Sequence, residues 1–206
     1  MADLVTAPRG RVEWSSAGRA FPGEPVSGDL AVHVPLDGAD VVAVIDGLGH
    51  GSEAAAAADC AREVIEQSPA EPIDVLLASS HAALARTRGV AMTIASIGGD
   101  GHMRWVGVGN VDAHVLRSDG QRARRAASAV VYGGTLGYRL PAVRVSTVEL
   151  EPGAQEAADL DFVVDNEDEG IDFSHRDRPP VGSPALQTAD GSTPWFPDRR
   201  PSSRPG

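Results

Sequence analysis

The sequence predicts an α+β fold in which antiparallel sheets are covered by helices. Two observations predict it. Strands and helices fall into separate runs instead of alternating, which is typical of α+β domains rather than of parallel α/β sheets. Short glycine-containing turns such as Gly109-Asn110 also join several of the strands, and turns of that length connect only antiparallel neighbours. With 206 residues, 42 % of them hydrophobic, the chain can form one core but not two large ones.

Three strands open the predicted order of elements. Residues 11–19 and 28–34 form the first two, and the breaker run at residues 21–25 separates them. Residues 40–45 form the third strand, and because they are continuously apolar we expect this strand to be buried on both faces. It ends at a glycine-rich loop, residues 46–51.

Two helices are predicted next. The first has Ser52 as its N-cap and runs through an alanine-rich stretch to about Gln67. The break at Ser68-Pro69 separates it from a second helix over residues 72–87, whose apolar side chains recur at helical spacing. An antiparallel meander and one further strand follow, at residues 90–97, 102–108, 111–117 and 143–150.

The composition of the chain changes at about residue 153. Residues 151–170 hold 8 acidic residues and no basic one, and residues 178–206 contain 7 prolines. We therefore expect residues 1–153 to form the folded domain, and residues 154–206 to be an atypical tail, acidic and then Pro/Arg-rich, that is largely disordered. Most of the net charge of −11 belongs to this tail.

Composition also argues against several classes of protein. All 18 basic residues are arginines and the chain is acidic overall, so we expect no binding to nucleic acid and no polybasic attachment to a membrane. No apolar run is long enough to predict a membrane span, and the N-terminus lacks the apolar core of a signal peptide. Cys60 is the only cysteine, which excludes an intrachain disulfide and favours a reducing compartment. We expect a cytoplasmic protein.

Asp46 is the most informative candidate residue. It ends a strand that is expected to be buried, where a carboxylate is costly unless it is paired, hydrogen-bonded or bound to a metal. Asp29 begins a neighbouring predicted strand, and two such carboxylates can hold Mg²⁺ or Mn²⁺. The alternative is a turn aspartate that makes an Asx cap. A dinucleotide-binding loop is disfavoured, because Ser52 stands where Gly-x-Gly-x-x-Gly requires its third glycine.

Five motifs occur in order along about three quarters of the chain. They are Ser27-Gly28-Asp29, Asp46-Gly47-Leu48-Gly49-His50-Gly51, and the segments at residues 81–93, 106–111 and 133–141. Together they resemble the bacterial metal-dependent type 2C (PPM) Ser/Thr phosphatases. Within that family they are most similar to the branch of the sigma-B regulator phosphatase X and the sporulation stage II phosphatase.

The resemblance implies a four-layer αββα sandwich, with two antiparallel sheets flanked by helices and a binuclear Mn²⁺ or Mg²⁺ site at one edge. Asp46 would bridge the metals, Gly47 would offer its carbonyl oxygen, and Asp29 would hold a metal directly or through water. The implied reaction is hydrolysis of phosphoserine or phosphothreonine by a metal-activated water, with no covalent enzyme intermediate.

The substrate that the resemblance implies is a phosphorylated regulator in a bacterial partner-switching pathway of stress response and sigma-factor control. An anti-sigma antagonist or a stress-sensor scaffold is such a regulator. The sequence does not identify the residues that would bind this substrate.

The sequence departs from the family pattern after Gly153. The family continues with a Thr-Asp-Gly or Ser-Asp-Gly motif that binds metal and with a second metal-binding aspartate later in the chain. Here Glu169 precedes Gly170 where the first aspartate is expected, and the second has no counterpart. Asp165, Asp168 and Glu169 could each replace a missing metal-binding aspartate, and the sequence does not favour one of them over the others. Natural divergence and a shifted reading frame would both explain this departure. If the metal site is incomplete, the alternative function is that of a non-catalytic binding module built on a degenerate or truncated phosphatase fold.

Histidine and arginine side chains supply the remaining candidates. His50 is either a catalytic proton donor to the leaving oxygen or a residue that caps the next helix or faces solvent. His81, on the second predicted helix, is expected to be a buried, satisfied side chain rather than a metal ligand. Arg122, Arg124 and Arg125 either attract a phosphorylated partner or lie in a solvated loop.

Overall fold

The computed structural model describes residues 5–7, 12, 14–118, 123–150 and 158–164. Its strands are β1 (Val5–Ala7), β2 (Trp14–Ser16), β3 (Asp29–Pro35), β4 (Ala39–Gly47), β5 (Val90–Gly98), β6 (His102–Val108), β7 (Val111–Ser118), β8 (Ala123–Ser128), β9 (Val131–Tyr132), β10 (Ser146–Glu149) and β11 (Ala158–Val164). The helices are α1 (Gly51–Gln67) and α2 (Ile73–Ala83), and α2 continues into a 3-10 turn, Leu84–Arg86. Neither helix is both long and apolar enough to cross a membrane.

The larger sheet has six strands, and β4 lies between the edge strand β3 and the central strand β5. Its main order is β10-β6-β5-β4-β3, and every neighbouring pair along that path is antiparallel. The short β9 runs parallel to the end of β6, where Val108 pairs with Tyr132. The expectation of antiparallel sheets is therefore confirmed, with this one parallel pair as an addition that the sequence did not indicate.

A smaller sheet faces the larger one. Its order is β11-β7-β8, with both pairs antiparallel, and β1 and β2 form a separate two-stranded ribbon. β11 lies within residues 154–206, where the sequence predicted no strand. The rest of the predicted tail lies outside the described residues, so the domain boundary at residue 153 stays a prediction.

The alternating side chains of β4 divide the core into two clusters. Val41, Ala43 and Ile45 pack with α1 and α2 on one face of the large sheet, whereas Val42 and Val44 pack with β7 on the other. All five are almost fully buried, as the continuous apolar run predicted. The helix pair, the large sheet and the small sheet thus form three successive layers of an α+β sandwich. The described residues form no helix on the outer side of the small sheet.

Small side chains bring α1 close to the sheet. Its buried face consists mostly of alanine, with Ala54 over the end of β4. A Cβ on Gly47 would lie 2.7 Å from the carbonyl carbon of Ala54 and would overlap its oxygen, and a Cβ on Gly28 would lie 2.8 Å from the Ala54 methyl group. Only residues without a side chain fit at these two positions, because atoms do not approach that closely in close-packed interiors.

Two predicted helix details need correction. The N-cap of α1 is His50 rather than Ser52, because Gly51 already takes part in the helix, and no side chain caps this end. The second helix begins at Ile73 with Pro72 as its N-cap, and its last predicted turn is the 3-10 turn.

Candidate metal centre

Strand register places the two predicted carboxylates side by side. β3 and β4 are antiparallel neighbours, and Asp29 pairs directly with Asp46. Both residues lie at the same end of the sheet, next to the loop that leads into α1. The two carboxylates lie within hydrogen-bonding reach of each other. The sequence placed them on adjacent strands, and the register accounts for their proximity.

Asp46 is 8 % exposed, and its surroundings act on its charge in two directions. Burial raises the pKa of this carboxyl above its ordinary value, while hydrogen bonds with Asn110 and Asp29 partly oppose that shift. Asn110 donates its Nδ2 hydrogen to Oδ2 of Asp46 over 3.2 Å, across a sequence separation of 64 residues. Asp46 therefore accepts a long-range hydrogen bond, and no local Asx cap is formed.

Asn110 is a site residue that sequence reasoning missed. It lies in the tight turn between β6 and β7, which the sequence identified only as a turn. The antiparallel order β6-β5-β4 carries that turn to the same sheet end as Asp46. The sequence showed only an amide side chain at the end of a strand. That this side chain would meet Asp46 could be inferred only once the strand order was known.

Gly47 contributes backbone groups at the same point. Its N–H donates to the carbonyl oxygen of Gly28 over 3.0 Å. The carbonyl oxygen of Gly47 lies 3.2 Å from the place that a Cβ on Gly28 would take, so the missing side chain at residue 28 leaves this oxygen uncrowded.

A cleft of about 720 Å³ opens over the two carboxylates. Four stretches of chain form its wall: the loop before β3, the loop between β4 and α1, the β6–β7 turn and the segment after β9. Its lining residues are Phe21, Pro22, Ser27, Gly28, Asp29, Asp46, Leu48, Gly49, His50, Ala91, Gly109, Asn110, Gly134 and Thr135. Asp29, Asp46 and His50 therefore share one cleft, whereas Gly47 is not among the residues that line it.

His50 lies in the cleft wall without capping α1. Its ring Nδ1 is 2.6 Å from Oε1 of Glu24, and the ring stacks on Phe21 with centroids 4.8 Å apart and planes at 16°. The capping alternative is therefore wrong for the side chain, although His50 does occupy the N-cap position. Glu24 is a second residue that sequence reasoning missed, because it lay in a run identified only as a strand breaker.

One wall of the cleft, residues 133–139, is fastened to the rest of the fold. Leu136 and Val90 exchange two main-chain hydrogen bonds, which attach the segment to β5, while two more between Thr135 and Arg139 close a turn within the segment itself. The N–H of Gly137 donates to Nδ1 of His81 over 2.9 Å. His81 is thus a partly buried, hydrogen-bonded residue that anchors a loop. This agrees with the expectation of a satisfied side chain rather than a metal ligand.

The predicted arginine cluster is only partly described. Arg124 and Arg125 are exposed on β8, a strand where the sequence predicted a loop, and neither lines the cleft. Arg122, and the three substitute acids Asp165, Asp168 and Glu169, lie outside the described residues.

The donor set suits a hard divalent cation. Two adjacent carboxylates disfavour each other's ionised form, and a cation between them relieves that repulsion. Two carboxylates with one carbonyl match the way in which Mg²⁺ binds while it keeps several waters. Within the described ranges, no cluster of three or more His, Cys, Asp or Glu side chains is placed to hold a metal, so these residues alone offer two carboxylates.

No protein-family model and no curated protein matches the chain, but solved structures do. A structure reported for the bacterial stressosome, described as a modular system adapted to control secondary messenger signalling, is 27 % identical with a TM-score of 0.62, over 72 % of this chain and 73 % of the other. RsbX in complex with magnesium is 19 % identical with a TM-score of 0.67, over 79 % and 78 %.

A third similar structure is the PP2C phosphatase domain, with a fragment of the regulatory domain, of the cell fate determinant SpoIIE from Bacillus subtilis. It is 19 % identical with a TM-score of 0.54, over 73 % of this chain and 43 % of the other. Each of these three likenesses covers between 72 % and 79 % of this chain. The chain therefore has the bacterial PP2C phosphatase fold of the RsbX and SpoIIE type.

Proposed function

We propose that this protein is a divalent-metal-dependent phosphoserine/phosphothreonine protein phosphatase. The observation that carries the proposal is the pairing of Asp29 with Asp46 on neighbouring strands, in an open cleft of a PP2C fold. A carboxylate pair is a poor anion site by itself, because it repels a phosphate. With a divalent cation bound, the same pair becomes a phosphate-binding centre.

Each site residue has a distinct role in this proposal. Asp29, Asp46 and the carbonyl of Gly47 hold Mn²⁺ or Mg²⁺, as one ion or as a binuclear pair. When bound, the metal supplies an activated water and neutralises charge on the phosphoryl oxygens. Asn110 fixes the orientation of the Asp46 carboxylate, and His50 donates a proton to the serine or threonine oxygen that leaves.

A thiol mechanism has no support among the described residues. Cys60 lies on α1 outside the cleft, with its Sγ 3.8 Å from the carbonyl oxygen of Ala83. Burial, reinforced by the charge of Glu63, raises the pKa of this thiol, which opposes formation of a nucleophilic thiolate.

The proposed substrate is a phosphorylated regulatory protein of a bacterial partner-switching pathway, in the cytoplasm. What supports this is the set of similar structures, whose descriptions name the stressosome and a cell fate determinant. An open cleft of about 720 Å³ also has room for a phosphorylated side chain that projects from a protein surface.

Hydrolysis of short phosphopeptides tests this function. We expect release of phosphate from phosphoserine and phosphothreonine peptides in the presence of Mn²⁺ or Mg²⁺, and loss of that activity in excess EDTA. A phosphotyrosine peptide of the same sequence is the matched control. Hydrolysis that persists in EDTA, or no hydrolysis of either phosphopeptide with either metal, would contradict the proposal.

A second candidate function is a non-catalytic binding module. The observation in its favour is that the described residues supply only two carboxylates, Asp29 and Asp46, as metal ligands. Calorimetric titration with Mn²⁺ separates the two candidates. We expect a complete site to bind two ions per chain, whereas a degenerate one would bind a single ion weakly, because each missing carboxylate removes both charge and a ligand.

A further inference from the structure

We propose that Glu24 is a positioning residue that holds the His50 ring with its proton on Nδ1, so that Nε2 is the nitrogen that exchanges protons in the cleft. The inference rests on the proposed phosphatase function. It concerns a residue outside the metal ligands, and it assigns a role to the breaker run that precedes β3.

A tight turn brings Glu24 to His50. The Glu24 N–H donates to the carbonyl oxygen of Phe21 over 2.9 Å, which closes a four-residue turn. Pro22 occupies its second position and Gly23, with φ of +91°, its third. That combination is the signature of a type II turn, in which the third position requires a left-handed backbone. The turn presents its first and last side chains, Phe21 and Glu24, to the same imidazole.

The contacts hold the ring from two directions. The Glu24 carboxylate binds one edge at 2.6 Å, and Phe21 stacks on one face. Phe21 is 53 % exposed, so it is not a core residue that happens to touch the ring. No other described group bonds to the imidazole, which leaves Nε2 without a protein partner.

The chemistry of the carboxylate decides which nitrogen carries the proton. A carboxylate only accepts hydrogen bonds, so Nδ1 must donate, and an unprotonated Nδ1 would set two acceptors against each other at 2.6 Å. When the doubly protonated ring acts as an acid, the Nε2–H bond breaks and that proton joins the serine or threonine oxygen. The electron pair of the breaking P–O bond stays on this oxygen, a water oxygen bonds to phosphorus, and the ring keeps its proton on Nδ1.

A choice of two substrates tests the role of Glu24. Nitrophenolate leaves without protonation, whereas a serine alkoxide does not. Glu24→Ala is therefore expected to lower kcat for a phosphoserine peptide about 10-fold while it changes kcat for p-nitrophenyl phosphate less than 2-fold. Glu63→Ala, which removes an exposed acid on α1 outside the cleft, should change neither.

A double-mutant cycle separates positioning from a structural role. Because Glu24 acts through His50, the Glu24→Ala/His50→Gln pair should be no slower on the phosphopeptide than His50→Gln alone. The carboxylate of Glu24 also lies against Gly51, the first residue of α1, with its Cδ 2.7 Å from where a Cβ would stand. Additive losses, or equal losses on both substrates, would mean that Glu24 supports α1 instead and would overturn the inference.

The imidazole spectrum gives a readout that does not depend on activity. Long-range ¹H–¹⁵N correlation of neutral His50 should show the proton on Nδ1 in the wild-type chain and a shift toward Nε2 in Glu24→Ala. A wild-type ring protonated on Nε2 would overturn the inference. If the wild-type protein hydrolyses neither substrate, the proposed function fails, and the spectrum still decides whether Glu24 sets the tautomer.

Discussion

Asp46→Asn is expected to lower kcat/KM for a phosphoserine peptide by on the order of 100-fold or more. Asparagine has the same shape and keeps an oxygen that can accept the hydrogen bond from Asn110, so the fold should survive. What it removes is the negative charge opposite Asp29, and with it most of the affinity for a divalent cation. Mn²⁺-dependent phosphate release at saturating and limiting metal measures both effects.

The same substitution should leave the metal-free protein as stable as the wild type or more stable. Burial raises the pKa of Asp46, which means that the folded state disfavours the ionised carboxylate at neutral pH. A neutral asparagine does not carry that penalty. Thermal unfolding in EDTA compares the stability of the two metal-free proteins, and a clearly lower Tm for Asp46→Asn would contradict this expectation.

Asp40→Asn provides the matched control on the same strand. Asp40 is also buried, but it lies at the other end of β4 and binds Nε2 of His33 over 2.8 Å, outside the cleft. This variant should lose stability while it retains Mn²⁺-dependent turnover. If Asp46→Asn turned over substrate at the wild-type rate, the proposed metal centre would be wrong.

Gly47→Ala is expected to destabilise the fold by about 2 to 3 kcal/mol, the scale of overpacking a dense interior. The added methyl group would overlap the carbonyl oxygen of Ala54, which is helix backbone and cannot rotate away. α1 would have to shift, together with His50 at its start, so activity should fall as well. For a domain of this size the loss corresponds to a fall in Tm of roughly 5 to 10 °C.

Gly18→Ala is the control for that measurement. A Cβ on Gly18 would meet nothing within 4 Å, so the substitution changes the backbone entropy of the unfolded chain without crowding the fold. Equal Tm values for the two variants would show that α1 tolerates the displacement and that close packing at Gly47 is unimportant.

Strands with a strong apolar signal could be predicted closely from the sequence. The predicted β6 agrees at both ends, and β4 and β5 differ only by short extensions, because buried strands between glycine turns leave few other arrangements. The adjacency of Asp29 and Asp46 followed from the same reasoning. β8 and β9 were missed since their residues carry no apolar alternation. β11 does alternate apolar residues with aspartates, but it was missed because it lies in the acidic stretch that was assigned to the tail. The pairing of all three strands with β6 or β7 is a property of the assembled sheets.

The supporting residues of the site could not be found in this way. Asn110 and Glu24 are 64 and 26 residues from the side chains that they bind, so their relevance appears only once the strand order is known. Local propensity also misplaced the start of α1. Ser52 is the better capping residue, but the helix begins two residues earlier, where Glu24 from another segment lies against Gly51.

The anchoring of residues 133–139 has a consequence for how a partner would bind. A pair of main-chain hydrogen bonds to Val90 and the bond to His81 attach this wall to the fold, and a second pair, between Thr135 and Arg139, closes the wall's own turn. A partner that docked there would have no loop of this protein to order, so most of the loss of conformational entropy would fall on the phosphorylated segment. Affinity would then depend on how flexible that segment is before it binds, and a partner that presents its phosphorylated residue on a rigid surface would bind more tightly than a free peptide of the same sequence.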